Sequence, residues 1–401
     1  MDLRNKSRRM FLGGAAGAAA FAGGPASPQR SASTPPGAGI PLEDFEPKSM
    51  LVVPAHPTPR ASHPVIDVHT HVSSLFPKQR AANSPEMAKA HAQVDTFVRW
   101  MDALNIRTMI NLTGGYGDLL KQNVADLQDR HKGRFFNCVE PAYNRIREPG
   151  FPQWQADEVA RGKQAGAVGI KVLKTLGLYL RENITSGPLV KVDDKRFDPM
   201  WDAAGQLSLP VFIHTSDPDA FFTPIDRFNE RWEELGHHPD WSFYGKDYPP
   251  KAELLAARNR VIARHPKTIF VGLHVANHPE NLDEVSRWLD DLPNLNVEMA
   301  ARLGELGRQP RRARTFFEHY QDRIMFGTDA TPTEGTPQQD LKPEMYQLYF
   351  RWLETLDEYF DYAPSARPPQ GRWRIYGIGL PDTILEKVYH DNAARLLGWQ
   401  G

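Results

Sequence analysis

Residues 64–71 read Pro-Val-Ile-Asp-Val-His-Thr-His, an apolar strand that ends in two histidines one residue apart. Side chains alternate across a strand, so His69 and His71 point to the same face and can hold one metal ion between them. A pair of this kind can also arise by chance in a chain with 14 histidines. The pair therefore indicates a metal site only if other strands end in similar residues.

Three further predicted strands do end in residues that bind metals. His214 ends the apolar segment 209–214, His274 ends the segment 268–274, and Asp329 follows the apolar residues that begin at position 323. Because the residue types and their positions agree, the set of strand ends predicts a metal centre better than any one motif does.

The alternation of strands and helical segments predicts the fold. From residue 65 to residue 329 the pattern gives eight strands separated by helices, which is typical of a closed (β/α)8 or TIM barrel, an α/β fold. An open doubly wound sheet is the alternative. In a closed barrel strand 8 returns beside strand 1, so the ends of strands 1, 5, 6 and 8 meet at one mouth, whereas an open sheet spreads them apart. We therefore expect a barrel, with a long insertion after strand 5 and extra C-terminal helices.

Segments outside the eight units are also predicted. The apolar residues 49–54 suggest an added strand over one end of the core, and the aromatic spacing in residues 345–362 suggests one helix. Residues 382–388 and 392–397 are expected to form short helices that close the barrel.

The N-terminus resembles the export signal of the bacterial twin-arginine route. Arg8 and Arg9 precede Phe-Leu and a small apolar run from residue 13 to residue 22; a plain basic tail beside an Ala/Gly stretch is the alternative. The run is shorter than the roughly 20 residues that cross a bilayer, and no cysteine follows it, so we expect no stable membrane anchor. The predicted organisation is a signal peptide in residues 1–22, a disordered linker in residues 23–48 and the barrel domain in residues 49–401.

Composition limits the partners. A formal net charge of -1 gives no bulk-charge argument for binding nucleic acid or an anionic membrane. The expected partners are a small-molecule substrate and the twin-arginine export machinery, in a periplasmic or secreted protein. A homo-oligomer is compatible with the sequence. Cys138 is the only cysteine, so an internal disulfide is excluded and a buried, inert thiol is expected.

The combined motifs resemble the amidohydrolase superfamily of metal-dependent barrel enzymes. Residues 65–71 and 325–329 are similar to motifs of its amidohydrolase-related branch, which holds hydrolases and non-oxidative decarboxylases, and the likeness runs from about residue 65 to residue 398. The resemblance implies that His274 is a catalytic acid or base, or a ligand of a second metal, and that one metal-binding carboxylate takes a proton from metal-bound water. The metal ligands that it implies are His69, His71, His214 and Asp329, of which Asp329 is that carboxylate.

The residue types support these roles. Neutral imidazoles and one carboxylate suit zinc or another divalent metal of similar character, and a catalytic site keeps a position open for water. The cofactor we expect is therefore Zn²⁺, as one ion or possibly two.

Lys171 bears on the number of metal ions. It lies in the predicted strand 4, where binuclear members that this sequence resembles carry a carboxylated lysine that bridges two ions. The competing interpretation is a lysine that binds a substrate carboxylate or phosphate beside a single metal. A shift of one residue in strand register would turn Lys174 inward instead. The branch resemblance favours one metal ion.

Two features near the predicted mouth concern the substrate. Arg302 follows strand 7 and could hold a substrate carboxylate in a bidentate hydrogen bond, or could pair with Glu298 or Glu305.

The insertion between His214 and Lys251 is rich in aromatic residues, which indicates either a lid over the site or a small core of its own.

Three functions remain open at this point. The first is a hydrolase that uses metal-bound hydroxide on an ester, lactone or amide. The second is a decarboxylase that uses the same metal to hold a small carboxylic acid, with His274 and Asp329 moving the proton. The third is a catalytically silent binding protein, which the intact set of ligand residues disfavours.

Overall fold

The computed structural model describes residues 39–81, 84–332, 336–365 and 367–399 and contains eight parallel strands paired in the order β1 to β8. Hydrogen bonds between the two outermost strands close the sheet: Val68 N donates to Phe326 O at 3.1 Å, and Asp329 N donates to His69 O at 2.8 Å. The predicted (β/α)8 barrel is therefore confirmed, and the open sheet is excluded. The strands are β1 Val65–Thr70, β2 Ile106–Asn111, β3 Phe135–Val139, β4 Gly169–Val172, β5 Val211–Ile213, β6 Phe270–Gly272, β7 Leu295–Glu298 and β8 Ile324–Met325.

Helices cover the outside of the barrel. The longest starts where the Ser84 hydroxyl accepts the backbone N–H of Met87, and it ends at Asn105, whose φ is +66°. Its buried apolar residues recur at three- and four-residue spacing, as expected for a helix with one face on the sheet. The helices are Pro85–Leu104, Gly117–Asn123, Phe151–Gln164, Thr175–Leu178, Asp198–Gln206, Trp232–His237, Lys251–Arg264, Leu282–Asp291, Leu303–Leu306, Pro310–His319, Pro343–Glu354, Asp382–Glu386 and Asn392–Leu397, with π-helical turns at Val124–Asp129 and Lys387–Asp391 and a left-handed turn at Leu273–Ala276.

One apolar cluster fills the inside of the barrel. It contains Ile66 from β1 and Phe212 from β5. These strands lie on opposite sides of the barrel, so a cluster that joins them must lie between them. Ala393 and Leu396 of the last helix belong to the same cluster. The C-terminal helix therefore covers one end of the barrel, and the ends of the strands are left to form the mouth.

Two predictions about secondary structure are wrong. Residues 49–54 form no strand, and Val52 is fully exposed, because no sheet edge lies beside this apolar segment. The predicted helix 345–362 ends at Glu354. Beyond it, Phe360 exchanges backbone hydrogen bonds with Ile375 at 3.1 and 2.9 Å, which needs extended backbone.

The insertion after β5 packs as a folded segment. Phe222 stacks on Phe243 at 4.9 Å between ring centroids, and Phe221 stacks on Trp241 at 6.5 Å. Phe221, Trp241 and Phe243 are buried. The aromatic residues therefore form a core, as one of the two interpretations of this segment expected.

The N-terminal predictions lie largely outside the described residues. The signal in residues 1–22 and most of the linker in residues 23–48 fall there. Leu42–Asp44 form a 3-10 turn, and Ile40, Leu42 and Phe45 are exposed. Within the described part of the chain, no helix combines the length and the apolar character needed to cross a membrane.

Candidate metal centre

The ends of the strands open into one cavity of about 170 Å³. His71, Lys171, His214, His274 and Asp329 all line it. These residues come from β1, β4, β5, β6 and β8, or follow them directly, so closure of the barrel brings together side chains that are up to 258 positions apart in sequence (329 − 71). The predicted convergence at the C-terminal mouth is observed.

A carboxylate oxygen of Asp329 is the meeting point of the cluster. His69 Nε2 lies 3.1 Å from Asp329 Oδ1, and His71 Nε2 lies 2.8 Å from the same oxygen. His274 completes the group, because one ligand atom each from His69, His274 and Asp329 lie within 4.8 Å of one another. One ion could contact all three atoms.

Outer partners fix the orientation of two of these histidines. His274 Nδ1 lies 2.8 Å from the carbonyl oxygen of Ala300, and His69 Nδ1 lies 3.2 Å from Glu298 Oε1. A carbonyl only accepts, so His274 Nδ1 carries the proton and the lone pair is on Nε2. Histidines that bind metals are usually held in this way through their second nitrogen.

Glu298, at the end of β7, holds two parts of the site at once. It is fully buried, and besides the His69 ring it accepts the backbone N–H of His274 at 2.6 Å and of Ala300 at 2.5 Å. A Cβ atom at Gly327 would come within 2.5 Å of Glu298 Oε2, so the glycine of the β8 motif leaves room for this carboxylate. The sequence offered Glu298 only as a partner for an arginine, and this role was missed.

The backbone after β6 is left-handed over four consecutive residues. The φ angles are +56° at His274, +56° at Val275, +51° at Ala276 and +58° at Asn277. Left-handed helical backbone costs about 1–2 kcal/mol per L-residue. Part of the compensation comes from the Asn277 side chain, whose Oδ1 accepts the backbone N–H of Thr215 at 2.9 Å. Nothing in the sequence indicated this turn.

His214 lies at the border of the cluster. Its ring centroid is 4.5 Å from that of His274. However, its Nε2 lies 3.0 Å from the carbonyl oxygen of Ser216 and 3.5 Å from Asp217 Oδ1. Asp217 also binds Lys174, at 2.5 Å. The structure therefore brings His214 next to the cluster with one nitrogen turned away from it.

Lys171, and not Lys174, lies inside the cluster. Its Nζ is 3.4 Å from His69 Nε2, and β4 pairs Lys171 with Phe212 in register. The shifted register that would have exchanged the two lysines is excluded. Burial lowers the pKa of Lys171 to about 8, so an uncharged amine is accessible near neutral pH.

The protonation states fit a metal centre. Burial lowers the pKa of His71 and His214 to about 4 and that of His274 well below its usual value, so these imidazoles are neutral. Burial would raise the pKa of Asp329, but the charge of His69 and hydrogen bonds from His69 and His71 outweigh it and hold the pKa well below its usual value. Neutral imidazoles and an ionised carboxylate are the forms that bind metals.

The surroundings of the His69 ring favour positive charge. Burial and the charge of Lys171 would lower the pKa of His69, yet the carboxylates of Asp329 and Glu298 outweigh both and raise it. Two buried carboxylates around one imidazole favour positive charge at this point, which a divalent ion would supply. The residues present therefore fit a divalent metal.

Arg302 faces the same cavity, and its charge acts on the carboxylate of Glu234 there. It is 6% exposed, and its Nη1 donates to the carbonyl oxygen of Ala301 at 2.7 Å. Within the described chain Arg302 forms no ion pair, and its Nε has no hydrogen-bond partner. Glu298 is committed to the histidines, and Glu305 pairs with Arg231. The predicted pairing of Arg302 with either glutamate is therefore wrong.

A family model described as amidohydrolase matches residues 66–399. This chain belongs to the amidohydrolase family. The resemblance drawn from the strand-end motifs is thereby confirmed at the level of the family, whose members depend on metals. A search of curated protein sequences found no match.

Solved structures agree with the barrel. A Staphylococcus aureus protein assigned as an amidohydrolase is 15% identical with a TM-score of 0.50, over 83% of this chain and 99% of that one. The 2,6-dihydroxybenzoate decarboxylase from Rhizobium is 14% identical (TM-score 0.48, 84% and 99% covered). The 5-carboxyvanillate decarboxylase from Sphingomonas paucimobilis is 15% identical (TM-score 0.47, 84% and 100% covered). At these identities the likeness concerns the fold alone.

The cavity of this amidohydrolase is lined by apolar residues as well as polar ones. Phe221 and Trp241 of the insertion line it together with Leu173 and Pro218. The aromatic residues that form the core of the insertion thus also form part of the cavity. The loop after β8 adds Gln339, whose Nε2 donates to Asp329 Oδ2 at 2.5 Å.

Proposed function

We propose that this amidohydrolase is a metal-dependent hydrolase that acts on an ester, lactone or amide bond of a small molecule. The observation that carries the proposal is the convergence of one ring nitrogen each of His69 and His274 and the carboxylate of Asp329 within 4.8 Å, beside the cavity that His274 and Asp329 line. The outer hydrogen bonds of the two imidazole rings and the ionised carboxylate make this cluster a metal centre and not a structural ion pair, with His274 beside the ion as the acid or base.

His69, His71 and Asp329 would hold the ion, with His214 as the fourth ligand after its ring turns from Ser216. Zinc is the metal we propose, because imidazole and carboxylate ligands suit it. A bound divalent ion supplies Lewis acidity and makes a coordinated water acidic near neutral pH. Manganese also accepts carboxylate and imidazole ligands, so activity is to be measured with each metal.

Asp329 and His274 would move the proton. The Asp329 carboxylate is ionised and can accept a proton from the attacking water, then return it to the leaving group. His274 is neutral, with its Nδ1 bound to Ala300, so its Nε2 can accept a proton at the same reacting centre. Arg302, on the cavity wall, would bind the substrate.

Lys171 determines whether the site takes one ion or two, and we propose one. Elemental analysis of protein purified without chelator should give about one equivalent of metal per chain, and Lys171→Gln should keep that value. About two equivalents that fall to one in the variant would instead establish a carboxylated, bridging Lys171.

Non-oxidative decarboxylation of a small carboxylic acid is the second candidate. It is favoured by Arg302, a cation that lines the same cavity as the proton-transfer residues His274 and Asp329. Product analysis separates the two reactions, since only decarboxylation releases carbon dioxide.

The test compares metal-free protein with protein reloaded with zinc or with manganese on a panel of esters, lactones, amides and aromatic and aliphatic acids. We expect turnover of one substrate class that is lost on chelation, restored by metal and absent in His69→Ala. Glu358→Gln, a change at an exposed loop residue, is the matched control. Turnover that survives both chelation and His69→Ala would refute both candidates.

We also propose that the protein is exported to the periplasm, on the strength of the Arg8-Arg9 motif. Cell fractionation should find the protein in the periplasm, and replacement of both arginines by lysine should retain it in the cytoplasm. Unchanged export of that variant would contradict the proposal.

A further inference from the structure

A second polar cluster lies next to the metal centre but outside the cavity. It is built around Asp67, two positions before His69 on β1, which is fully buried and does not line the cavity. A buried carboxylate is strongly destabilising unless its oxygens are hydrogen-bonded. Asp67 accepts four hydrogen bonds, and their donors show which parts of the molecule it joins.

One oxygen of Asp67 joins the backbone beside two candidate ligands. Asp67 Oδ1 accepts the backbone N–H of His69 at 3.1 Å and that of Thr328 at 3.2 Å. His69 is the candidate ligand on β1, and Thr328 directly precedes Asp329 after β8. A change at this oxygen would therefore act on both strand ends at once.

The other oxygen of Asp67 fixes a threonine side chain. Asp67 Oδ2 accepts the hydroxyl of Thr328 at 2.6 Å and that of Tyr346 at 2.8 Å. Because an ionised carboxylate only accepts, the Thr328 hydroxyl gives its one proton to Asp67 and keeps its lone pairs free. The Thr328 hydroxyl uses them to accept the backbone N–H of Ala330 at 3.2 Å.

Asp329 lies between these two bonded residues on strained backbone. Its φ is +63°, a left-handed conformation that is unfavourable for a residue with a Cβ atom. Its own N–H donates to His69 O at 2.8 Å. The N–H groups on either side of it depend on Asp67, directly at Thr328 and through the Thr328 hydroxyl at Ala330. Asp67 therefore supports the conformation that presents the Asp329 carboxylate.

The helix Pro343–Glu354 supplies two tyrosine hydroxyls to the same place. Tyr346 donates to Asp67, and Tyr349 donates to Thr328 O at 3.4 Å while it accepts the backbone N–H of Ala301 at 2.9 Å. Both tyrosines are buried and neither lines the cavity. The strand ends around the centre are thus held by an outer helix through groups that do not face the cavity.

We propose that Asp67 and Thr328 are positioning residues that direct the Asp329 carboxylate at the ion, and that Tyr346 holds Asp67 in place for this task. The inference rests on the proposed metal centre and adds the buried groups that hold its carboxylate. Because none of the three lines the cavity, changing them should alter metal binding and not the surface that faces a substrate.

The test uses full-length protein and measures Co²⁺ affinity by competition with a metal-binding dye. The visible absorption of the bound Co²⁺ is recorded as well, since it reports the coordination geometry. Asp67→Asn should weaken Co²⁺ binding by about tenfold or more and shift the absorption. Thr328→Val, which removes the hydroxyl, should weaken binding several-fold, whereas Thr328→Ser, which keeps it, should retain the original affinity and spectrum.

Tyr346→Phe and Tyr389→Phe form a matched pair. Each removes the hydroxyl of a buried tyrosine from a carboxylate, at 2.8 Å from Asp67 in the first case and at 2.9 Å from Glu354 in the second. Both should lower the urea midpoint, because both lose a buried hydrogen bond. Only Tyr346→Phe should also weaken Co²⁺ binding and alter the absorption, which separates positioning from a loss of stability.

Two results would overturn the inference. One is unchanged Co²⁺ affinity and absorption in folded Asp67→Asn and Thr328→Val; if Asp67→Asn does not fold, the comparison of Thr328→Val with Thr328→Ser decides. The other is an equal loss of affinity in Tyr346→Phe and Tyr389→Phe.

Failure of the proposed function would look different. An original protein that binds no Co²⁺ would refute the metal centre, and this inference with it. Bound metal without turnover of any ester, lactone or amide would refute the proposed hydrolysis and leave the positioning roles of Asp67 and Thr328 intact.

Discussion

Replacing Glu298 with glutamine should both destabilise the protein and weaken its hold on metal. Glu298 accepts three hydrogen bonds in a fully buried position, from the His69 ring and from the backbone N–H groups of His274 and Ala300. Glutamine has nearly the same shape but only one accepting oxygen. Whichever way its amide turns, at least one of these N–H groups then faces another donor.

The size of the effect follows from that count. Leaving one buried N–H group unpaired costs about 1–3 kcal/mol, and losing the charge of the acceptor weakens the remaining bonds. We expect the free energy of unfolding of metal-free protein to fall by about 2–3 kcal/mol. Because the His69 ring then faces a neutral amide where it had a carboxylate, metal affinity should fall about 10- to 100-fold.

Urea unfolding and competition with a metal-binding dye would measure the two quantities. Glu358→Gln makes the same chemical change at an exposed loop position and should alter neither. Glu298→Gln with a free energy of unfolding and a metal affinity both close to those of the original protein would refute this account of the site, because the three bonds would then contribute nothing.

The left-handed turn and the buried histidines give two further predictions. Asn277→Gly keeps the positive φ but leaves Thr215 N unpaired, so the free energy of unfolding should fall by about 1–3 kcal/mol. Asn277→Ala should lower it by about 1 kcal/mol more, because alanine is strained at positive φ. Equal values for the two variants in urea unfolding would rule out backbone strain. Metal-free protein should become less stable as pH falls from about 6.5 towards 4, because His71 and His214, with pKa values lowered to about 4, bind protons only when unfolded. Burial raises the pKa of Asp67 to about 6, and this carboxyl group therefore stabilises the folded state as pH falls. Urea midpoints at pH 7, 6 and 5 should thus fall by less than the two histidines alone would give. A midpoint that rises as pH falls would contradict the lowered pKa values of His71 and His214.

Sequence patterns were sufficient for the barrel because parallel strands buried on both faces are short apolar runs, and helices alternate with them. The same patterns overestimated strand length at the mouth. The segment predicted to run from residue 323 to Asp329 is regular strand only at Ile324–Met325; Phe326 and Asp329 still hydrogen-bond to β1, but the backbone at Asp329 has a φ of +63°. Ligand residues that follow a strand sit on irregular backbone, and hydrophobic periodicity carries no information there.

The residues that hydrogen-bond to the candidate ligands were harder to predict than the ligands themselves. The positions of His69, His71 and Asp329 follow from strand ends, and all of them meet at one oxygen. That Glu298 binds the histidines and not Arg302 depends on which of several nearby acids lies within hydrogen-bond distance of the rings. Sequence spacing cannot distinguish them, because they are brought together by packing across different strands.

The strained left-handed turn after β6 is compensated by hydrogen bonds that also orient His274. Ordinary strand backbone at His274 would continue the alternation of β6, whereas the turn places the His274 N–H on Glu298 and the His274 Nδ1 on the carbonyl of Ala300. Both contacts are to the end of β7, so the neighbouring strand holds the ring with its Nε2 directed at the cluster. The cost of positive φ at four residues is compensated by bonds that also orient the histidine, among them that of Asn277 with Thr215 N. Removing either set of bonds should therefore loosen the same nitrogen, which is why Glu298→Gln and Asn277→Ala are expected to weaken metal binding less than additively when combined.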